Sequence, residues 1–173
     1  MKVLILCVET NKKANTDFVY IDRTIREYYI IDNEVKLQYE YLNSKRRYNS
    51  GKILKKINDT KKLVGKDNVF VVYFIDLDDY DISKEDSKLN DEIRKYCLKN
   101  NYEFVWFCKN VEEVFLGKSI PDSDKVKESK KFNRNRSLGF ATEVKLRSSK
   151  FSRYTSNVLS VLDRLLIRKH NKK

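Results

Sequence analysis

Apolar residues recur along this chain at two different spacings, and the two spacings alternate. Residues 2–8 and 69–75 are almost continuous apolar runs, which is typical of strands that are covered on both faces. Residues 102–108 form a third run, while residues 34–41 alternate apolar and polar positions in the manner of an edge strand. The pattern therefore predicts four strands that are well separated along the chain.

Apolar residues at helical spacing fill the segments between these runs. Asn15 or Thr16 can cap the first helix, and Ser83 followed by Asp86 resembles a capping box for a later one. Alternating strands and helices predict an α/β fold with a mainly parallel four-stranded sheet flanked by helices. Residues 118–150 are polar, basic and poorly periodic. The predicted helices cover residues 16–29, 51–65, 84–100, 111–117 and 154–168.

Charge is distributed unevenly along the chain. Residues 1–124 hold 22 basic and 22 acidic side chains, whereas residues 125–173 hold 15 basic and 3 acidic ones. The last segment thus accounts for the whole net charge of +12. We therefore expect a charge-balanced α/β domain over residues 1–117. A basic C-terminal extension, residues 118–173, should pack on that domain and end in a helix.

Several classes of protein are disfavoured by composition. The only histidine is His170, so histidine-based metal sites and nucleophiles activated by a buried histidine are excluded. The three cysteines contain no C-x-x-C pair, which favours reduced thiols in a core. No apolar run approaches the roughly 20 residues that span a bilayer. We expect a cytoplasmic protein with no membrane partner.

Carboxylates follow three of the predicted strands. Glu9 follows the first, Asp76 and Asp78 follow the third with Asp79 beside them, and Glu112 follows the fourth. The carboxyl ends of parallel strands meet at one edge, where α/β proteins bind their ligands. Carboxylates that converge there repel one another unless a cation compensates, and hard oxygen ligands suit Mg²⁺ or Mn²⁺.

The sequence therefore predicts a metal site with Glu9, Asp76, Asp78 and Asp79 as ligands. Glu112 is expected to join Glu9, Asp76 and Asp78 as a catalytic residue. Ordinary turn and cap roles for the aspartates remain the alternative, as does a favourable charge at a helix N-terminus for Glu112.

Two basic stretches could hold nucleic acid. Residues 45–66 contain nine basic side chains and a single acid, Asp59. Residues 125–153 mix cations with aromatic and hydroxyl groups, a combination that neutralises phosphates and stacks on unpaired bases. An ordinary solvated surface is the alternative. The predicted nucleic-acid-binding residues are Lys130, Lys131, Arg134, Arg136, Lys145, Arg147, Lys150 and Arg153.

An apolar strand that ends in Glu, followed by a later strand that ends in Asp-x-Asp, resembles the Toprim domain. The matching segments are residues 3–9 and 71–78, and residues 110–116 resemble the further acidic motif of the nuclease branch. The resemblance covers roughly residues 1–117. Topoisomerases, bacterial primases, OLD-type nucleases and small RloB-like phage-defence proteins share this domain.

The resemblance implies a Mg²⁺-dependent or Mn²⁺-dependent nuclease that hydrolyses phosphodiesters of RNA or DNA, with a role in phage defence. Glu9 would act as an acid/base or metal-positioning residue, Asp76 and Asp78 would hold the metal, and Glu112 would complete the site. An ATPase partner is suggested by the family alone. The sequence leaves the oligomeric state open, with a homodimer as one option.

Two other functions stay open. The family usually has Gly where this chain has Thr10, which favours a non-catalytic nucleic-acid-binding or partner-docking module. An Asp-based phosphatase or phosphotransferase would use Asp76 as its nucleophile. That group needs Thr or Val four residues later, where this chain has Tyr80.

Overall fold

A four-stranded sheet forms the centre of the molecule. The computed structural model describes residues 1–135 and 137–169. The strands are β1 (Lys2–Val8), β2 (Val35–Tyr41), β3 (Val69–Asp76) and β4 (Glu103–Phe107). Their order is β2-β1-β3-β4, and every neighbouring pair is parallel. The predicted α/β fold with a parallel four-stranded sheet is confirmed, and β2 is an edge strand as its alternation indicated.

Helices connect and cover these strands. The first four lie within about two residues of the predicted bounds, and Ser83 caps the third by accepting a hydrogen bond from the backbone N–H of Asp86 at 3.2 Å. Each described helix is too short or too polar to cross a membrane. The helices are α1 (Thr16–Tyr28), α2 (Gly51–Val64), α3 (Lys84–Lys99), α4 (Val111–Leu116), α5 (Asp122–Arg134), α6 (Glu143–Leu146) and α7 (Val158–Leu162).

The continuous apolar run of β1 is buried on both sides. Leu4 and Leu6 belong to the core beneath α1, α4, α5 and α7, whereas Val3 and Ile5 belong to the core beneath α2 and α3. Since successive side chains of a strand point to opposite faces, every side chain of a strand between two helical layers is buried, and the strand is apolar throughout. Cys7, Cys97 and Cys108 are buried and unpaired.

The connections of β1 create a switch point at one edge of the sheet, and the space between the diverging loops is called the crevice below. The chain leaves β1 for β2 on one side and later returns to β3 on the other, as the strand order requires. The loops after β1 and β3 therefore diverge. Ligands of open α/β sheets bind at such a switch point, outside the carboxyl ends of the strands.

The C-terminal third differs from the predicted pattern. Helix α5 lies in a segment for which no helix was predicted. The helix predicted over residues 154–168 is wrong in extent, because α7 is much shorter. Ser156 donates its hydroxyl to the carbonyl of Trp106 at 2.6 Å, and the amide of Asn157 bonds to the backbone of Trp106 and Phe104. These residues complete the open edge of β4, which prevents them from continuing a helix.

Residues of the basic segment enter the main core. Phe132 of α5 is buried with its ring 4.5 Å from that of Tyr20 on α1. Leu146, Leu159 and Leu162 belong to the same cluster of side chains as β1. The segment from residue 118 to residue 169 thus shares the core of the α/β domain.

Candidate metal centre

Glu9 and Asp76 are held together at the switch point. Glu9 directly follows β1, and Asp76 is the last residue of β3. Because the two strands are adjacent and parallel, the carboxylate of Glu9 reaches across and accepts a hydrogen bond from the backbone N–H of Asp76 at 2.7 Å. The two strand ends that the sequence analysis paired are therefore in direct contact.

The side chain of Asp76 links β3 to α4. Its Oδ1 accepts a hydrogen bond from the backbone N–H of Val111 at 3.0 Å. Val111 is the first residue of α4, and Glu112 is the second. This bond fixes the start of α4 beside the end of β3, and so brings the acidic residues that follow β4 toward the crevice.

Glu112 is a buried carboxylate without a hydrogen-bond partner. The residue is only 1% exposed, and neither carboxylate oxygen accepts a hydrogen bond of normal geometry among the described residues, although its own backbone N–H and the hydroxyl of Thr16 lie close enough to lower its pKa. The nearest cation is the ammonium of Lys125, 3.9 Å from Oε2, which lies closer to Asp122 at 3.1 Å. A buried carboxylate that lacks partners is costly, so these two oxygens are available to a ligand.

Asp17 is a fourth carboxylate of the crevice, and the sequence analysis missed it. It lies in the first turn of α1, is 6% exposed, and accepts a hydrogen bond from the backbone N–H of Thr10 at 3.2 Å. Only its position in the first helix after β1 could have indicated it. No strand end or short motif marks it, so the three-dimensional structure is needed to associate it with Glu9.

Burial and mutual repulsion hold these carboxyl groups toward their protonated forms. Desolvation is the main cause that raises the pKa of Glu9 to about 8, and the charge of Lys45 opposes this rise. Desolvation, followed by the charges of Asp17 and Glu9, raises the pKa of Asp76 well above its usual range. Desolvation likewise raises the pKa values of Asp17 and Glu112. The crevice therefore favours a cation.

Lys45 is the ammonium group on one side of this cluster. It is 6% exposed, donates to the backbone carbonyl of Asp76 at 2.9 Å and to the side chain of Asn90 at 3.2 Å. Its ammonium also lies 2.5 Å from a carboxylate oxygen of Asp78. Although Lys45 begins one of the basic stretches of the sequence, its charge is directed inward at the carboxylates.

Asp78 and Asp79 lie at the exposed rim. Asp78 adopts a left-handed backbone conformation, with φ of 49°, and pairs with Lys45. Asp79 pairs instead with Lys109 at 3.2 Å. Of the five predicted acidic residues, Glu9, Asp76 and Glu112 thus share the crevice, Asp78 adjoins it through Lys45, and Asp79 engages a surface cation.

The oxygen donors suit a hard divalent cation, although they are not already arranged around one. Within residues 1–135 and 137–169, no three Asp, Glu, Cys or His side chains form a group that could hold a metal ion as they stand. The backbone bonds of Glu9 and Asp76 each engage one carboxylate oxygen and leave the other. Together with both oxygens of Glu112, this is a carboxylate donor set of the kind that Mg²⁺ prefers.

The basic residues predicted to bind nucleic acid divide into two groups. On α5, Lys130, Lys131 and Arg134 line a shallow groove together with Lys127 and Val126. All three predicted residues are exposed, and Lys131 pairs with Glu128 at 2.5 Å.

The second group begins in α6 and is largely engaged within the protein. Lys145 lies over the ring of Phe140, and Arg147 pairs with Glu143 and Asp163. Arg153 lies 3.9 Å from Glu113 and over the ring of Tyr154, whereas Lys150 is exposed. Arg136 lies outside the described residues.

Comparison with known proteins gives no relative to set beside this site. No family model matches the chain, and no curated protein or solved structure matches it either. The arrangement of its own residues must therefore carry any statement about function.

Proposed function

We propose that this protein is a divalent-metal-dependent nuclease of the Toprim kind, which hydrolyses phosphodiester bonds of nucleic acids. The observation that carries the proposal is the carboxylate pair Glu9 and Asp76 at the switch point, facing a buried Glu112 whose oxygens have no hydrogen-bond partner. Burial raises the pKa values of all three groups, and a bound divalent cation would favour their charged forms.

Each residue of the crevice has a role in this proposal. Glu9, Asp76 and Glu112 would hold the ion, and Asp78 is a further ligand that Lys45 keeps beside the crevice. A bound Mg²⁺ or Mn²⁺ would polarise the phosphoryl oxygens and stabilise the charge that develops on them. Glu9 would also be placed to take the proton of the attacking water, because it lies at the end of β1 beside the backbone of Asp76.

Exposed cations would hold the substrate strand. Lys130 and Arg134 on α5, together with Lys150, are free of the ion pairs that engage Arg147. Backbone contacts of this kind position a strand without reading its sequence. Lys125 at the start of α5 lies between this surface and Glu112.

Incubation of the purified protein with labelled single-stranded RNA and DNA tests the proposal. We expect cleavage with Mg²⁺ or Mn²⁺ and none with EDTA. Asp76→Asn and Glu9→Gln should each lower the rate by at least about 100-fold, the usual effect of losing a group that stabilises transition-state charge. The matched control is Asp79→Asn, which removes a neighbouring charge that is paired with Lys109.

Two outcomes would contradict the proposal. Cleavage that survives Asp76→Asn in a folded variant would exclude this site. Tight binding without turnover in either metal would instead favour a non-catalytic nucleic-acid-binding module.

A further inference from the structure

An open pocket lies beside β4, on the far side of its strand from the carboxylates. It has a volume of about 450 Å³ and is bordered by α3, by β4 and by the segment around α7. This volume falls within the range of small-molecule and nucleotide sites. Aromatic residues of the strand and of the C-terminal segment line it, and Arg94 and Arg164 are also among its lining residues.

Phe151 is the most exposed aromatic residue of this pocket. The residue is 48% exposed, although it belongs to a loop that packs on the sheet edge. Its ring meets those of Trp106 and Tyr80 at centroid distances of 4.9 and 5.4 Å, both in edge-to-face geometry. Because nearly half of the residue is exposed, part of the ring surface remains accessible to a planar ligand.

Trp106 contributes a hydrogen-bond donor without a partner. The residue is 5% exposed, and its indole N–H bonds to no other group in the part of the chain that the structure describes. The N–H group itself is not among the buried groups that lack a partner, so it is open to solvent at the pocket. A ligand that carries ring nitrogens or carbonyl oxygens could supply an acceptor.

Surface ion pairs engage the two arginines of the pocket, and Arg164 also donates to the backbone carbonyl of Ser160 at 2.9 Å. Arg94 lies 3.0 Å from Asp91, and Arg164 lies 2.5 Å from Glu103. Pairs of this kind contribute little stability, so a guanidinium can exchange its carboxylate for a phosphate at small cost. Arginine also binds phosphate through two parallel hydrogen bonds.

We propose that this pocket receives an unpaired base of a single-stranded nucleic acid. Phe151 stacks on the base, the indole of Trp106 donates a hydrogen bond to it, and Arg94 and Arg164 hold the flanking phosphates. The proposal rests on the proposed nuclease function and names its substrate class.

The position of the pocket supports a strand that reaches the carboxylates. Trp106 packs against Leu77 in one buried cluster, and Leu77 is the residue between Asp76 and Asp78. A base in the pocket would therefore lie one side-chain layer from the loop that carries the acidic site. A duplex cannot place a base there without unpairing it.

Trp106 is the only tryptophan of the chain, so its fluorescence reports on this pocket directly. The full-length protein is titrated in EDTA with short oligo(dT) and oligo(rU), and the emission of Trp106 is followed. We expect saturable quenching by single strands and much weaker quenching by a duplex of the same length. Phe151→Ala should weaken the affinity about 10-fold, the usual effect of losing one stacked base.

Control variants separate stacking from folding. Phe151→Leu keeps an apolar contact to Trp106 but cannot stack, and it should bind as weakly as Phe151→Ala. Ile30→Ala removes a similarly exposed apolar side chain outside the pocket and should bind normally. Arg164→Gln should lower the slope of log affinity against log salt concentration by roughly 0.7, as expected for the loss of one phosphate contact to a single strand.

Because the titration is carried out in EDTA, it measures base binding without cleavage and so tests the pocket separately from the nuclease function. Equal quenching by duplex and single strand, or unchanged binding of both Phe151 variants, would overturn the base pocket even if the protein cleaves nucleic acid. Quenching that Phe151→Ala abolishes would support the pocket even if no metal yields cleavage, which would overturn the nuclease function alone.

Discussion

Four carboxyl groups share the crevice with two ammonium groups, and this imbalance is the main feature of the molecule at the scale of residues. After desolvation, the charge of Asp17 raises the pKa values of Glu9, Asp76 and Glu112, while Lys45 opposes the rise at Glu9 and Lys125 opposes it at Glu112. A divalent cation at this position would compensate the remaining charge. Removing a carboxylate should therefore affect the metal-free and metal-bound proteins in opposite directions.

The first consequence concerns the dependence of stability on pH. Between its ordinary pKa of 4.5 and the folded value of about 8, Glu9 holds a proton in the folded protein and releases it in the unfolded chain. The folded state thus binds more protons, so the free energy of unfolding contributed by Glu9 falls as pH rises through this range. Urea denaturation in EDTA should show a steeper decline for the wild type than for Glu9→Gln. Parallel curves for the two proteins would contradict this assignment.

The second consequence distinguishes two adjacent glutamates. Both Glu112 and Glu113 are buried, but only Glu112 is among the carboxylates that raise the pKa of Asp76. Saturation with Mg²⁺ at 100 times its dissociation constant should stabilise the wild type and Glu113→Gln by about 2.7 kcal/mol. Glu112→Gln should lose most of this gain while being at least as stable as the wild type in EDTA. Equal metal responses of both variants in thermal denaturation would argue against Glu112 as a ligand.

Strands and helices of the first two thirds could be predicted because local pattern and tertiary role agree there. β1, β3 and β4 are apolar runs, β2 alternates as an edge strand does, and the strand ends indicated Glu9 and Asp76 directly. Helix α5 escaped prediction because Ser129 and Phe132 are its only buried residues, which is too weak a periodic signal. The extent of α7 depends on contacts with β4 that are distant in sequence, and the role of Asp17 depends on its approach to Asp76, which no short motif records.

Helix α5 should be an integral part of the folding unit. Phe132→Ala removes a ring that is packed on Tyr20 and Phe115, and we expect a loss of about 3–5 kcal/mol. Denaturation followed by two spectroscopic probes should retain a single transition. The matched control, Phe151→Ala, removes a half-exposed ring and should cost far less. A second transition, or a small effect of Phe132→Ala, would indicate that the basic segment folds separately.

At the scale of the whole molecule, the basic side chains behind the net charge of +12 fall into groups with different roles. Lys45 neutralises carboxylates of the crevice, and Arg147 pairs with Glu143 and Asp163 inside the C-terminal third. Exposed cations of α5 and of the loop that contains Lys150 remain for a polyanion. The total charge therefore overstates the number of groups that can contact phosphate.

Salt dependence of nucleic-acid binding should reveal this division. The double variant Lys130→Gln/Arg134→Gln should lower the slope of log affinity against log salt by roughly 1.4 on a single strand. Arg147→Gln should leave the slope unchanged and reduce the thermal stability instead. Fluorescence anisotropy over a salt series measures the slopes, and an equal loss of slope in Arg147→Gln would contradict the division.

A crystal structure of the protein soaked with Mn²⁺ tests the central claim most directly, because the anomalous signal of the ion locates it without reference to activity. We expect one or two peaks in the crevice at the ends of β1 and β3, coordinated by the carboxylates of Glu9, Asp76 and Glu112. The same soak of Asp76→Asn should show none. An empty crevice in the wild type, or an ion bound only at surface carboxylates such as Asp79, would contradict the account.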